Sequence, residues 1–135
     1  LDHADRVVPA FARAAAAGHP LRVDGPEHLF DFTHLDDTIR GILAAVQVLA
    51  QGEQRCPPIH LLTGVATSLG QLAALACELA GANSRIVSGP PRTFDVARFY
   101  GDPARARALL GWEPRVTVRE GLARLIQAVR AGSAS

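Results

Sequence analysis

Asp102 to Pro114 reads DPARARALLGWEP, and this stretch dictates how the C-terminal third of the chain folds. Asp102 suits a helix N-cap, because its carboxylate can accept from the unpaired N–H groups of a first turn. Pro103 fits the first helical position, where no N–H is required. Ala104 to Leu110 are mostly strong helix formers. Gly111 can take the left-handed conformation that ends a helix. Trp112 follows as a large apolar anchor. Thr117 and Glu120 are spaced as a T-x-x-E capping box for a last helix. The spacing therefore predicts helix, stop, anchor, helix.

Working towards the N-terminus, residues 6 to 17 predict a helix, with Val7, Val8, Phe11, Ala12 and Ala15 on one face. Gly18 stops it. Leu21 to Asp24 is a strand candidate, turned by Gly25-Pro26. Phe30 to Leu35 is a second strand candidate. Asp36 or Asp37 then caps a helix to about Gln51, in which Ile39, Ile42, Leu43, Val46 and Leu49 keep helical spacing. Ile59 to Thr63 reads as a strand buried on both faces. Ser68 and Gln71 form an S-x-x-Q capping box for a helix to Ala80, stopped by Gly81. Arg85 to Ser88 is a further strand. The order is α-β-β-α-β-α-β-α-α, an α/β chain read as a single region over residues 1–135.

Composition narrows the function. The chain has 135 residues, 48% hydrophobic and 20% charged, with a net charge of +1. That balance implies neither a nucleic-acid nor a membrane partner. No signal peptide or spanning run is visible, so the expected location is the cytoplasm. All 14 basic residues are Arg. A chain without Lys offers no Schiff-base or P-loop amine. A chain without Met cannot retain a start residue at Leu1, so it is expected to be processed or part of something longer. Cys56 and Cys77 have neither zinc nor redox spacing and are expected to be reduced thiols.

Four blocks, in order, resemble the extended short-chain dehydrogenase/reductases, the NAD-dependent sugar epimerase/dehydratase family. They are Arg6 to Phe11 with Gly18 to Gly25, Asp31 to Asp37 with Gly41 to Ala45, Leu61 to Gly64 with Thr67 to Leu69, and Arg92 to Asp95 with the tail. The resemblance implies the C-terminal, substrate-binding portion of a Rossmann-type enzyme, with the cofactor-binding half absent. It implies NAD or NADP in the complete protein and no cofactor for this chain alone. No glycine-rich strand-turn-helix and no Tyr-x-x-x-Lys pair is present; Tyr100 is followed four positions on by Ala104. No catalytic residue is therefore expected here. The expected partners are a sugar or nucleotide-sugar-like molecule, a missing N-terminal cofactor half and a further copy in a homo-oligomer.

By the same resemblance, substrate-binding positions are Arg92, Phe30, Leu21, Arg22 and Val23. Arg92 matches an arginine that holds a diphosphate, for which a planar guanidinium is suited. Leu21, Arg22 and Val23 match a strand whose backbone lies against a nucleotide base. Phe30 stands where the family carries a second phosphate-binding arginine; it either faces a less charged ligand or packs in its strand. The implied function is substrate recognition for an epimerase, dehydratase or reductase, not catalytic alone. The alternative is a non-catalytic interaction module, because the two-sided apolar strand Ile59–Thr63 is short of partners within the chain. His28, Asp31, His34, Asp36 and Asp37 form a dense acid-imidazole cluster, but their spacing suits caps and strand faces better than a metal site.

Overall fold

A computed structural model of the chain describes residues 6–52, 56–81, 83–91, 93 and 96–132. Ten elements follow in order: α1 (Val7–Ala16), β1 (Leu21–Asp24), β2 (Leu29–Asp31), α2 (Leu35–Ala50), β3 (Ala66–Ser68), α3 (Leu69–Ala80), β4 (Ile86–Gly89), β5 (Arg98–Phe99), α4 (Ala104–Leu110) and α5 (Val118–Gly132). The chain divides into two compact units. The first gathers the described parts of 1–29, 67–98 and 119–135, and the second those of 30–66 and 99–118. Strands β3, β2 and β5 form a three-stranded sheet in that order, and β1 pairs with β4 alone.

The first unit is a parallel β/α layer. β1 and β4 pair in parallel with Leu21 opposite Ile86 and Asp24 opposite Gly89. Helices α1 and α3 pack on each other and on β1. The shared core is built from Phe11, Ala12 and Ala15 of α1, Leu21 and Val23 of β1, and Leu72, Ala73, Ala76 and Ala80 of α3. Alanines at the contact let the helices approach closely, while Phe11, Leu21, Val23 and Leu72 add larger buried side chains, about 1.5–3 kcal/mol each. α5 adds Leu122 and Ile126 to the buried set. Its Arg119 bridges Glu78 of α3 through both carboxylate oxygens at 2.8 and 2.9 Å.

α3 starts as its S-x-x-Q spacing predicts. Ser68 Oγ accepts from Gln71 N at 3.0 Å and Gln71 Oε1 accepts from Ser68 N at 2.8 Å. Two further N–H groups, of Leu69 and Gly70, donate to the carbonyls of His28 and Pro26. A Cβ at Gly70 would stand 3.2 Å from the Pro26 carbonyl oxygen, so the loop sits directly on the helix start.

Two elements of the second unit depart from expectation. The cap of α2 is His34, whose imidazole Nδ1 accepts from Asp36 N at 3.2 Å. Leu35 lies in the helix, so β2 is confined to three residues. Residues 59–63 form no strand; the assigned strand is β3, three residues further on. Nor are they buried on both faces: His60 is exposed and Ile59, Leu61, Leu62 and Thr63 are only partly covered. An apolar run does not by itself specify pairing, and here the backbone is bound by a side chain: Thr33 Oγ1 donates to Leu61 O at 3.0 Å. The apolar face of α2 forms at the spacing read from the sequence but stays open, with Ile39, Ile42, Leu43, Val46 and Leu49 between 45% and 56% exposed.

The expectation of the C-terminal substrate-binding portion of a Rossmann-type enzyme, ordered α-β-β-α-β-α-β-α-α with the cofactor-binding half absent, is corrected by these elements. The observed order is α-β-β-α-β-α-β-β-α-α. Parallel pairing of β1 with β4 needs a crossover connection, and helices α1 and α3 pack on β1. Rossmann-type parallel β/α packing is therefore built within this chain.

Candidate functional site

In the first unit, β1 and β4 end together. Leu21 N donates to Arg85 O at 2.9 Å, and Gly25 N donates to Gly89 O at 3.1 Å. Residues 21, 23 and 25 thus turn their backbone groups towards β4, and the alternation of an extended strand turns those of Arg22 and Asp24 to the other edge. Among the described residues no strand pairs with that edge. The side chains of Leu21 and Val23 are each 1% exposed. Of the three strand positions singled out from the sequence, Arg22 alone offers both backbone and side chain to solvent. Its Nε lies 2.9 Å from Asp24 Oδ1. Gly25, at φ +67°, then turns the chain beneath the buried His28 ring, where a Cβ would meet Cε1 at 2.9 Å.

In the second unit, Asp31 organises the loop after residues 59–63. Its Oδ1 accepts from Thr63 N at 2.8 Å and Thr63 Oγ1 at 2.7 Å, and its Oδ2 accepts from Gly64 N at 2.8 Å. Gly64 has φ +77°, and a Cβ there would stand 3.1 Å from Pro103 Cδ. Phe30, in β2, is half-buried with its ring centroid 6.2 Å from that of Phe32, a tilted aromatic pair. Arg92 lies outside the described residues.

Asp37 is the most heavily engaged acid of the same unit. Its Oδ2 accepts from Arg115 N and Val116 N, both at 2.9 Å, and its Oδ1 pairs with the Arg40 guanidinium. Its backbone carbonyl accepts from Trp112 Nε1 at 2.8 Å. Burial alone would raise the carboxyl's pKa; the N–H groups of Val116 and Arg115 and the Arg40 charge outweigh it and hold the pKa below the ordinary value. The sequence marks Asp37 only as a cap or first-turn acid of α2 and a member of the acid-imidazole cluster. Nothing in its neighbourhood signals partners more than 70 residues away.

The acid-imidazole cluster is divided among these tasks: His34 caps α2, Asp31 holds the Thr63–Gly64 turn, and Asp37 clasps the Trp112 segment. No three His, Cys, Asp or Glu side chains gather as a metal site among the described residues. Burial raises the Cys77 thiol's pKa, and both cysteines are free. No described helix is long and apolar enough to cross a membrane.

No family model matches the chain. It is 30% identical over 125 residues to the UDP-glucose 4-epimerase of Mycolicibacterium smegmatis, covering 92% of this chain and 39% of that protein. It is 31% identical over 126 residues to UDP-glucuronic acid decarboxylase 1 of Xenopus tropicalis, covering 93% of this chain and 29% of the relative. The structure of MoeE5 in complex with UDP-glucose and NAD superposes with a TM-score of 0.85 at 28% identity, over 98% of this chain and 44% of that one. The likeness is to NAD-dependent sugar epimerases and decarboxylases. The chain spans less than half the length of each of these proteins.

Three expectations are corrected by this match. The chain is not a C-terminal remnant set apart from the dinucleotide fold, since a structure solved with NAD aligns with almost all of it. For the same reason, the assignment of the cofactor wholly to a separate N-terminal half, as this chain's partner, does not stand. Nor does the reading that no cofactor belongs with this chain; its elements are part of the fold on which such proteins carry one.

Proposed function

We propose that this chain belongs to an NAD(P)-dependent enzyme that epimerises, dehydrates or decarboxylates a nucleotide sugar, and that it supplies substrate recognition. The observation that carries this reading is the superposition, over 98% of the chain, on a structure holding both UDP-glucose and NAD. NAD or NADP, when bound, would take a hydride from the carbon bearing a sugar hydroxyl, the hydroxyl proton leaving to a base, to give a transient ketone. The start of α3 does not suit a pyrophosphate, because the N–H groups of its cap and first turn already serve Gln71, Ser68, Pro26 and His28.

Recognition of the nucleotide sugar is assigned to other positions. Arg92 would hold a phosphate through paired N–H donors. The open edge of β1 at Arg22 supplies in-plane backbone donors and acceptors, and the flanking Leu21 and Val23 fix that edge from the core. Phe30, paired with Phe32, supplies an apolar surface where a second arginine would hold a diphosphate. Free cysteines suit a reducing cytoplasm.

The test is direct. The full protein is incubated with NAD or NADP and a panel of nucleotide-diphosphate sugars, and the anomeric proton region is followed by NMR. An epimer, a dehydrated sugar or a decarboxylated pentose is the expected result. Neither conversion nor binding of any nucleotide sugar by calorimetry would overturn the reading. Arg92→Ala should weaken a nucleotide diphosphate more than tenfold, roughly, while leaving an unphosphorylated nucleoside unaffected.

A further inference from the structure

The ends of β1 and β4 carry a polar arrangement that packing does not require. In open parallel α/β sheets, ligands gather beyond the carboxyl ends of the strands. Asp24 and Gly89 are the last residues of β1 and β4 and lie opposite each other. Leu21 and Val23 point into the core. Arg22 and Asp24, on alternate positions, therefore stand on the other face. The two side chains pair at 2.9 Å through Arg22 Nε and Asp24 Oδ1. A Cβ on Gly89 would lie 2.2 Å from Asp24 Oδ1, so the carboxylate rests in space that only glycine leaves. Its second oxygen, Oδ2, has no partner among the described residues, although the Asp24 side chain is only 23% exposed. A half-buried carboxylate with one oxygen bound and one open is an acceptor waiting for donors.

We propose that Asp24 is a specificity-determining residue, accepting two neighbouring hydrogen-bond donors from one rigid ring of the ligand. This rests on the nucleotide-sugar reading above. A carboxylate repels phosphate and any group that presents only acceptors. Uracil offers one N–H between two carbonyls, one of which would face the carboxylate. Guanine offers an adjacent N–H and amino group, and ribose offers adjacent hydroxyls. The shared chemistry is a pair of neighbouring donors, supplied by a guanine edge or a ribose diol. Arg22 keeps the carboxylate aimed, and Gly89 lets it lie close to the strand ends.

The experiment measures calorimetric binding of GDP, IDP, 2′-deoxy-GDP and UDP to the full protein and to Asp24→Asn and Gly89→Ala. Asp24→Asn should weaken the preferred nucleotide by more than tenfold, roughly, since a site built around paired donors discriminates strongly against their loss. Gly89→Ala should do the same by displacing the carboxylate. Loss of affinity on passing from GDP to IDP assigns the donors to guanine; loss on passing to 2′-deoxy-GDP assigns them to ribose. Thermal melts check that both variants fold. Equal affinity of folded wild type and both variants for every nucleotide, within about twofold, would overturn the role of Asp24 and leave the nucleotide-sugar reading standing. Failure of the wild type to bind any nucleotide would overturn both.

Discussion

Asp37 and Asp24 are the same residue type put to opposite uses. Asp37, in the second unit, is buried and bound by Arg40, Arg115 N and Val116 N, with Trp112 on its carbonyl. Asp24, in the first unit, sits at a strand end with Arg22 as its single side-chain partner among the described residues and a glycine beneath it. A carboxylate whose acceptor capacity is filled by its own chain holds structure together. One left partly unfilled at a strand end is available to a ligand. The difference follows from geometry: a helix start facing a returning loop surrounds its acid with N–H donors, whereas the open face of a two-stranded ladder does not.

Four measurements would break or sharpen that contrast. Asp37→Ala removes a buried carboxylate and leaves the Arg115 and Val116 N–H groups without their acceptor as well as breaking the Arg40 pair, so it should destabilise the fold by about 3 kcal/mol or more. Thermal melting should register a midpoint lower by roughly ten degrees for a chain of this size; a shift of a degree or two would show that the clasp is dispensable. The next effect is in acid. The folded pKa of Asp37 lies below its ordinary value. Its contribution to stability is therefore complete above the unfolded pKa, near 4, and lost as pH falls through the lower folded value. Denaturant titrations between about pH 5 and 2 should show a steeper loss in the wild type than in Asp37→Asn.

Trp112→Phe keeps most of the buried ring but removes the indole N–H from the Asp37 carbonyl, at a cost of about 1–2 kcal/mol by chemical denaturation. Parity with the wild type would mean that ring burial alone anchors this segment. The smallest effect belongs to Asp24→Asn, which should change stability by no more than about 0.5 kcal/mol because its pairing is at the surface. A large loss there would make Asp24 a structural residue after all.

The parts of the fold legible in the sequence are those decided locally. Gly81 and Gly111 end α3 and α4 at φ +60° and +58°, because only glycine takes that conformation without penalty. Ser68 and Gln71 cap α3 because their spacing matches one turn. Asp102 Oδ1 accepts from Ala104 N at 2.8 Å, although the helix itself starts only after Pro103. Residues 59–63 misled for the opposite reason: none of them is buried, and whether an apolar run is covered or pairs as a strand depends on neighbours that local pattern does not specify. His34, and not Asp36 or Asp37, caps α2: its Nδ1 accepts from Asp36 N, and both acids lie within the first turn. The Asp31 contacts with Thr63 and Gly64 span 32 and 33 residues and carry no sequence spacing of their own.

By itself the sequence determined the helices, their stops, the Trp112 anchor and the resemblance that points to a nucleotide sugar. These rest on propensity, capping and short-range order, which act over a turn or two. Tertiary structure alone decided that β1 and β4 run parallel and end together, that Asp37 serves the Trp112 segment, and that Asp24 is left open over Gly89. Each joins residues between 65 and 79 positions apart, and only the folded chain brings such groups to hydrogen-bond distance.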